Sequence, residues 1–154
     1  MKQSFTNPIA MARNAIGAVT LMSLINVLLV FFKLPPIMPL SLTLPVSFAA
    51  IAFGPSDYLS EIYPDPAQLA GVRTSSLIWV IAIILLLAFT FWRMNKKPKA
   101  VILGIAFIGV DTMALLLYYP ILSLSFAVEL LYHGLVLYYL VKGYNAIKQE
   151  KVHV

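Results

Sequence analysis

Apolar residues dominate the chain in long blocks, and short polar stretches separate them. Ile16–Phe32, Ser75–Trp92, Ala100–Tyr119 and Ile121–Val141 are each close to the length that a helix needs to cross about 30 Å of hydrocarbon. Start and stop signals fit these blocks. Asn7 followed by Pro8, and Asp65 followed by Pro66, have the form of an N-cap with proline at the first helical position. The pattern predicts spans over about 10–32, 75–92, 100–119 and 121–141, with an outer loop over 33–74 and a polar tail over 142–154. Pro66–Arg73 reads as a short surface helix leading into the second span, and Pro120 as a tight reversal between the third and fourth.

Residues 34–54 differ. Leu34-Pro35-Pro36-Ile37-Met38-Pro39 cannot form a regular helix, because each proline lacks an N–H and restricts the residue before it. From Leu40 to Phe48 the apolar residues alternate with Ser41, Thr43, Pro45 and Ser47, the period of an extended strand. A lone strand cannot cross lipid with its backbone unpaired. The expectation is therefore an extended, partly re-entrant lid on the outer ends of the helices, with a short turn or helix through Ala49–Phe53. The fold class is an all-α membrane protein: four transmembrane helices and a proline-rich extracellular lid, in a single membrane domain.

Composition agrees. Hydrophobic residues make up 61% and charged residues 11%, with a mean hydropathy of +0.90. A soluble domain is about 25% charged, so these few charges cannot cover a water-facing surface. Although the net charge is +5, the basic residues flank apolar runs and form no separate nucleic-acid-binding patch. They set orientation instead. With four spans and an inside N-terminus, Lys2, Arg13, Arg93, Lys96, Lys97, Lys99, Lys142, Lys148 and Lys151 are cytoplasmic, and only Lys33 and Arg73 lie outside with Asp57, Glu61 and Asp65. A fifth span through 34–54 would split the positive clusters between the two sides. Both termini are thus expected in the cytoplasm of a cell-membrane protein. The first apolar run is longer than a signal-peptide core and is followed by Lys33 and prolines, so it reads as a retained span.

The candidate chemistry is a small intramembrane cluster. Asp111, Glu129 and His133 fall inside predicted spans, where a charge costs about 2.5–3.5 kcal/mol. If the hairpin reverses at Pro120, Asp111 and Glu129 are equidistant from it, about 13 Å along each helix. His133 lies one turn from Glu129 on the same face. On the first span, Thr20, Ser23 and Asn26 recur every third residue, and Asn26 can reach the same level. Two readings follow. In the first, level carboxyls and a histidine form a ligand, ion or proton site. In the second, they form an interhelical polar clamp, a carboxylate–imidazole pair with an acid bonded to Asn26 or Ser23, worth about 0.6 kcal/mol per hydrogen bond.

Other chemistry is missing. There is no cysteine, and besides His133 the only histidine is His153 in the tail, so no metal site is expected. No nucleophile elbow or phosphate loop occurs, no catalytic residue stands out, and no cofactor is implied. Lys96, Lys97 and Lys99 could touch lipid headgroups, though topology determination explains them more simply.

Ala12-Arg13-Asn14 at the start of the first span, Asn26 within it, and the Ser41–Phe48 stretch after it give the first third a resemblance. It resembles a group of small uncharacterised multi-pass membrane proteins of Gram-positive bacteria. The resemblance implies a bacterial cytoplasmic membrane and about four spans, and no activity. The sequence reading is a non-enzymatic membrane protein that binds or conducts a small solute or ion, proton-linked, through its polar centre. The alternatives are an accessory subunit of a larger membrane complex and, third, a membrane-embedded enzyme. The expected partners are the lipid bilayer and either further copies of the chain or a larger complex, with no nucleic acid.

Overall fold

A computed structural model describes residues 7–36, 41–118 and 123–150. The described elements are α-helices: α1 (Pro8–Phe31), α2 (Thr43–Phe53), α3 (Ser56–Ile62), α4 (Pro66–Lys96), α5 (Val101–Tyr118, after a 3-10 turn at Pro98–Ala100) and α6 (Leu124–Glu150). Four of them, α1, α4, α5 with its preceding turn, and α6, are long and apolar enough to cross a membrane.

The predicted caps form. Asn7 Oδ1 accepts from the amides of Ile9 at 2.9 Å and Ala10 at 3.4 Å, and Asp65 Oδ1 accepts from Ala67 at 3.0 Å. No break separates Pro66–Arg73 from the span that follows, so α4 is one continuous helix. Gly71 does not interrupt it, since a single glycine costs only about 1 kcal/mol in a helix. At the other end of α1, Lys33 takes φ 59°. Its amide donates to Val30 and that of Leu34 to Leu29, the paired bonds of a Schellman stop. Pro35 then prevents the helix from resuming.

Residues 43–53 are helical, not extended, which corrects the strand-like reading of Leu40–Phe48. Pro45 falls at the third helical position, where a missing N–H leaves no intrahelical bond unmade. A helix satisfies its own backbone in an apolar setting, whereas a single strand does not. Buried Leu42, Pro45 and Ala49 recur at three and four residues, so the alternation coexists with a helical face. Ile37–Leu40, the middle of the proposed proline lid, lie outside the described residues.

Helix α2 re-enters the bundle. Its start bonds to Ser23 of α1 and Asp111 of α5. Ser23 lies eight residues from the end of α1, about 12 Å along the helix. Its far end returns to the end of α1, where the rings of Phe53 and Phe31 meet edge to face at 5.1 Å. Arg73 Nη2 also donates to Gly54 O at 3.0 Å there. Eleven residues rise about 16 Å, which matches that climb.

The long helices pack in fixed registers. Gly17 meets Phe91, and Arg13 Nη1 donates to Asn95 Oδ1 at 2.6 Å, so α1 and α4 are antiparallel. Ile16 packs over Gly104 of α5 and beside Leu140 of α6. Ala12 sits on Gly143. A Cβ at Gly143 would lie 2.7 Å from Ala12 Cβ and 3.1 Å from Pro8 O, so the α1–α6 approach requires a small residue.

Gly143→Leu is expected to destabilise the protein by about 1–3 kcal/mol through overpacking. A lowered thermal midpoint in detergent would report it. A Cβ at Gly71 would meet nothing within 4 Å, so Gly71→Ala should leave the midpoint unchanged or raise it.

Candidate functional site

The polar centre is assembled around the first turn of α2. A helix leaves its first amides without intrahelical acceptors, and this helix begins among apolar side chains. The first cap residue, Leu42, offers no polar side chain. Neighbouring helices supply the acceptors. Ser23 Oγ of α1 takes the Leu42 amide at 2.9 Å. Asp111 of α5 takes the next two: Oδ2 from Thr43 and Oδ1 from Leu44, both at 2.8 Å. The next position is Pro45, which has no amide hydrogen. Asn26 Nδ2 donates to Ser41 Oγ at 2.7 Å and fixes the approach to the helix. Asp111 is 1% exposed, so these bonds form away from solvent. A carboxylate also complements the half-positive end of the helix dipole.

His133 of α6 closes the arrangement from the other side. It is 1% exposed, and its Nε2 lies 2.8 Å from Asp111 Oδ2. Its Nδ1 lies 2.8 Å from the backbone oxygen of Glu129. A carbonyl oxygen can only accept, so Nδ1 carries a hydrogen. A second proton must occupy the contact between Nε2 and Oδ2, because two lone pairs would repel there. Either an imidazolium donates to a carboxylate, or a protonated carboxyl donates to a neutral imidazole. One proton is thus held between α5 and α6, on the side chain that caps α2.

Several residues singled out in the sequence meet here. Asp111 and His133 are directly bonded, and Asn26 and Ser23 hold the segment that Asp111 caps. Glu129, expected level with Asp111, contributes its backbone oxygen to His133, and His133, one turn along α6, is the residue that meets Asp111. The contacts of Gly104 with Leu140 and of Asp111 with His133 belong to one antiparallel register, a turn displaced from a reversal centred on Pro120. Thr20 bonds back to Ile16 O within its own helix and stays outside the network. The amides of Thr43 and Leu44 are the part that the sequence reading missed. Pro45, allowed in a first helical turn, was the available signal of a helix start.

Two features give the centre room for a ligand. Thr43 Oγ1 is buried and has no hydrogen-bond partner. A buried hydroxyl in that state costs about 1–3 kcal/mol. A groove of about 410 Å³ also opens between α2, α4 and α5, with Asp111 at its base and Leu44, Phe107 and Val110 among its walls. Phe48 and Trp79 stack across one side, their centroids 6.3 Å apart. The walls are almost wholly apolar, so the groove admits lipophilic matter more readily than hydrated ions. Among the described residues no group of three or more metal-binding side chains comes together.

Asp111→Asn replaces one carboxylate oxygen by an NH2 group that must face an amide or an imidazole donor. Losing one partner of a buried pair costs about 3–5 kcal/mol. Hydrogen exchange should accelerate at the amides of Leu42–Leu44 more than in the middle of α4. Unchanged exchange there would contradict the capping role. In ¹⁵N spectra of imidazole-labelled protein, His133 Nδ1 should be protonated.

No family model, no curated protein and no solved structure matches the chain, so the geometry of the site carries the functional reading alone.

Proposed function

We propose that this chain is a non-enzymatic, multi-pass protein of the cell membrane that binds or passes a small solute or ion in step with a proton. Its working centre is Asp111 and His133, with Asn26 and Glu129 in support, and both termini lie in the cytoplasm. The observation that carries the proposal is the double use of one carboxylate. Asp111 holds the shared proton with His133 and also caps the re-entrant helix. Adding a proton to this pair removes charge from the acceptor of two α2 amides. Proton uptake therefore weakens the anchor of α2, and the position of α2 becomes linked to proton occupancy. The unpartnered Thr43 hydroxyl and the apolar groove beside Asp111 favour a small, largely apolar solute over a hydrated ion.

A second reading has its own support. Both Asp111 oxygens, both His133 nitrogens and the Ser23 hydroxyl make hydrogen bonds inside the protein, as in a structural clamp. In that case the chain is an accessory subunit whose apolar outer faces pack against a larger membrane complex. Purification separates the two readings, since a self-sufficient protein is recovered as a monomer or homo-oligomer and an accessory subunit only with its partner.

The test is proton movement in liposomes holding a pH-sensitive dye, driven by a valinomycin-clamped potassium gradient. Wild-type protein should acidify or alkalinise the lumen faster than protein-free liposomes. Asp111→Asn and His133→Gln should return the rate to the protein-free level, while Gly71→Ala leaves it unchanged. Wild-type rates equal to those of empty liposomes, across a panel of small apolar and amine solutes, would overturn the proposal. Thr43→Val, which keeps size and removes the hydroxyl, should reduce solute-dependent flux without unfolding the protein.

A further inference from the structure

At the opposite end of the bundle from α2, Arg13 stands where α1 meets the last turns of α4. Its guanidinium is half-buried and oriented by one bond, Nη1 to Asn95 Oδ1 at 2.6 Å. Among the side chains that the structure describes, which exclude that of Glu150 at the end of α6, its Nε has no hydrogen-bond partner and no acid pairs with it. Asp57, Glu61 and Asp65 all sit by the other end, in and beside α3. A guanidinium held in place without a carboxylate is an incomplete anion-binding fork, since its planar donors match phosphate oxygens. Other cations surround this end: Arg93, Lys96, Lys97 and Lys99. Lys96 is engaged on its own helix, with Nζ 4.6 Å from the centre of the Trp92 ring.

A groove runs along the same α1–α4 seam, in which the Gly17–Phe91 contact lies one turn from Arg13–Asn95. It has a volume of about 450 Å³ and lies between α1 and α4, lined by Asn14, Gly17, Leu21 and Leu24 on one side and Ala88 and Phe91 on the other. Gly17 keeps it deep, as a Cβ there would lie 2.9 Å from the Phe91 ring. Leu21 and Leu24 are exposed, so the groove opens to the outside of the bundle. From Asn14 to Leu24 it extends about 15 Å, half the thickness of a bilayer's hydrocarbon core. An oriented cation at the mouth of an apolar channel one leaflet deep has the dimensions and charge of a phospholipid.

We infer that the α1–α4 groove is a binding site for an anionic phospholipid, with the phosphate on Arg13 and one acyl chain along Gly17, Leu21 and Ala88. The site is separate from the Asp111–His133 centre, none of whose residues lines the groove. The lysine cluster adds long-range attraction, and Arg13 supplies the directed contact. This reassigns the headgroup contact from Lys96, Lys97 and Lys99 to the residue between the helices.

Native mass spectrometry of the full chain in detergent, titrated with phosphatidylglycerol and phosphatidylcholine of identical chains, tests the inference. Wild-type protein should retain phosphatidylglycerol about tenfold better, the scale of one hydrogen-bonded charge contact. Arg13→Gln should abolish that preference, and Arg13→Lys should keep part of it. Lys99→Gln should leave it intact. Ala88→Phe fills the groove on an exposed face and should weaken binding of both lipids without touching the charge. Circular dichroism verifies that each variant is folded, and Ala88→Phe keeps the test decisive if Arg13→Gln is not. An undiminished phosphatidylglycerol preference in Arg13→Gln, or unchanged binding in Ala88→Phe, would refute the site.

Discussion

The arrangement turns on the amides at the start of α2. A helix that begins halfway down a bundle brings unpaired N–H groups into surroundings that offer no water, and each such group left alone costs several kcal/mol. The protein meets this requirement with one residue from each of two neighbours and a proline. Ser23, Asp111 and Pro45 together account for the exposed donors of the first turn. Without them the re-entrant helix has no reason to hold its depth. With them, α1, α5 and α2 are tied at one level, and α6 joins through His133.

This solution has a chemical consequence. The acceptor best suited to a helix N-terminus is an anion, but a buried anion needs a counter-charge. His133 meets that need, and the carbonyl of Glu129 orients its ring so that the remaining nitrogen faces Asp111. Capping and charge compensation therefore reside in a single contact. On the proposed reading, structural demand and proton chemistry meet in one residue, because a further proton on the pair would weaken the cap. That identity is why the centre can be read both as a clamp and as a proton-linked site.

The two ends of the bundle divide the other tasks. Towards α3 the chain closes on aromatic contacts and on Arg73 at the end of α2. At the basic end, close helix approach at Gly143 and Gly17 leaves a groove beside an oriented arginine. Small residues serve different purposes at the two glycines. Gly143 lets backbones touch, while Gly17 makes room beside an aromatic ring.

Much of the fold was legible in the sequence, because helix length, apolar content and capping chemistry are local properties. Asn7-Pro8 and Asp65-Pro66 announced the starts of α1 and α4, and four apolar stretches gave four long helices. Asp111 and His133 were visible for the same reason, since an ionisable residue in an apolar run stands out by itself. The conformation of residues 43–53 was not legible. Leu40 to Phe48 satisfies both a strand's alternation and a helical face, and the choice depends on where the backbone finds acceptors. Nor could the partner of Asp111 be read. The choice between Glu129 and His133 turns on one helical turn of register, which no local signal fixes. The sequence by itself determined the four long apolar helices and which groups must not be left alone in the bundle. Only the tertiary structure decided who meets whom, because hydrogen-bond partners across helices depend on depth and register, which arise from packing the whole chain at once.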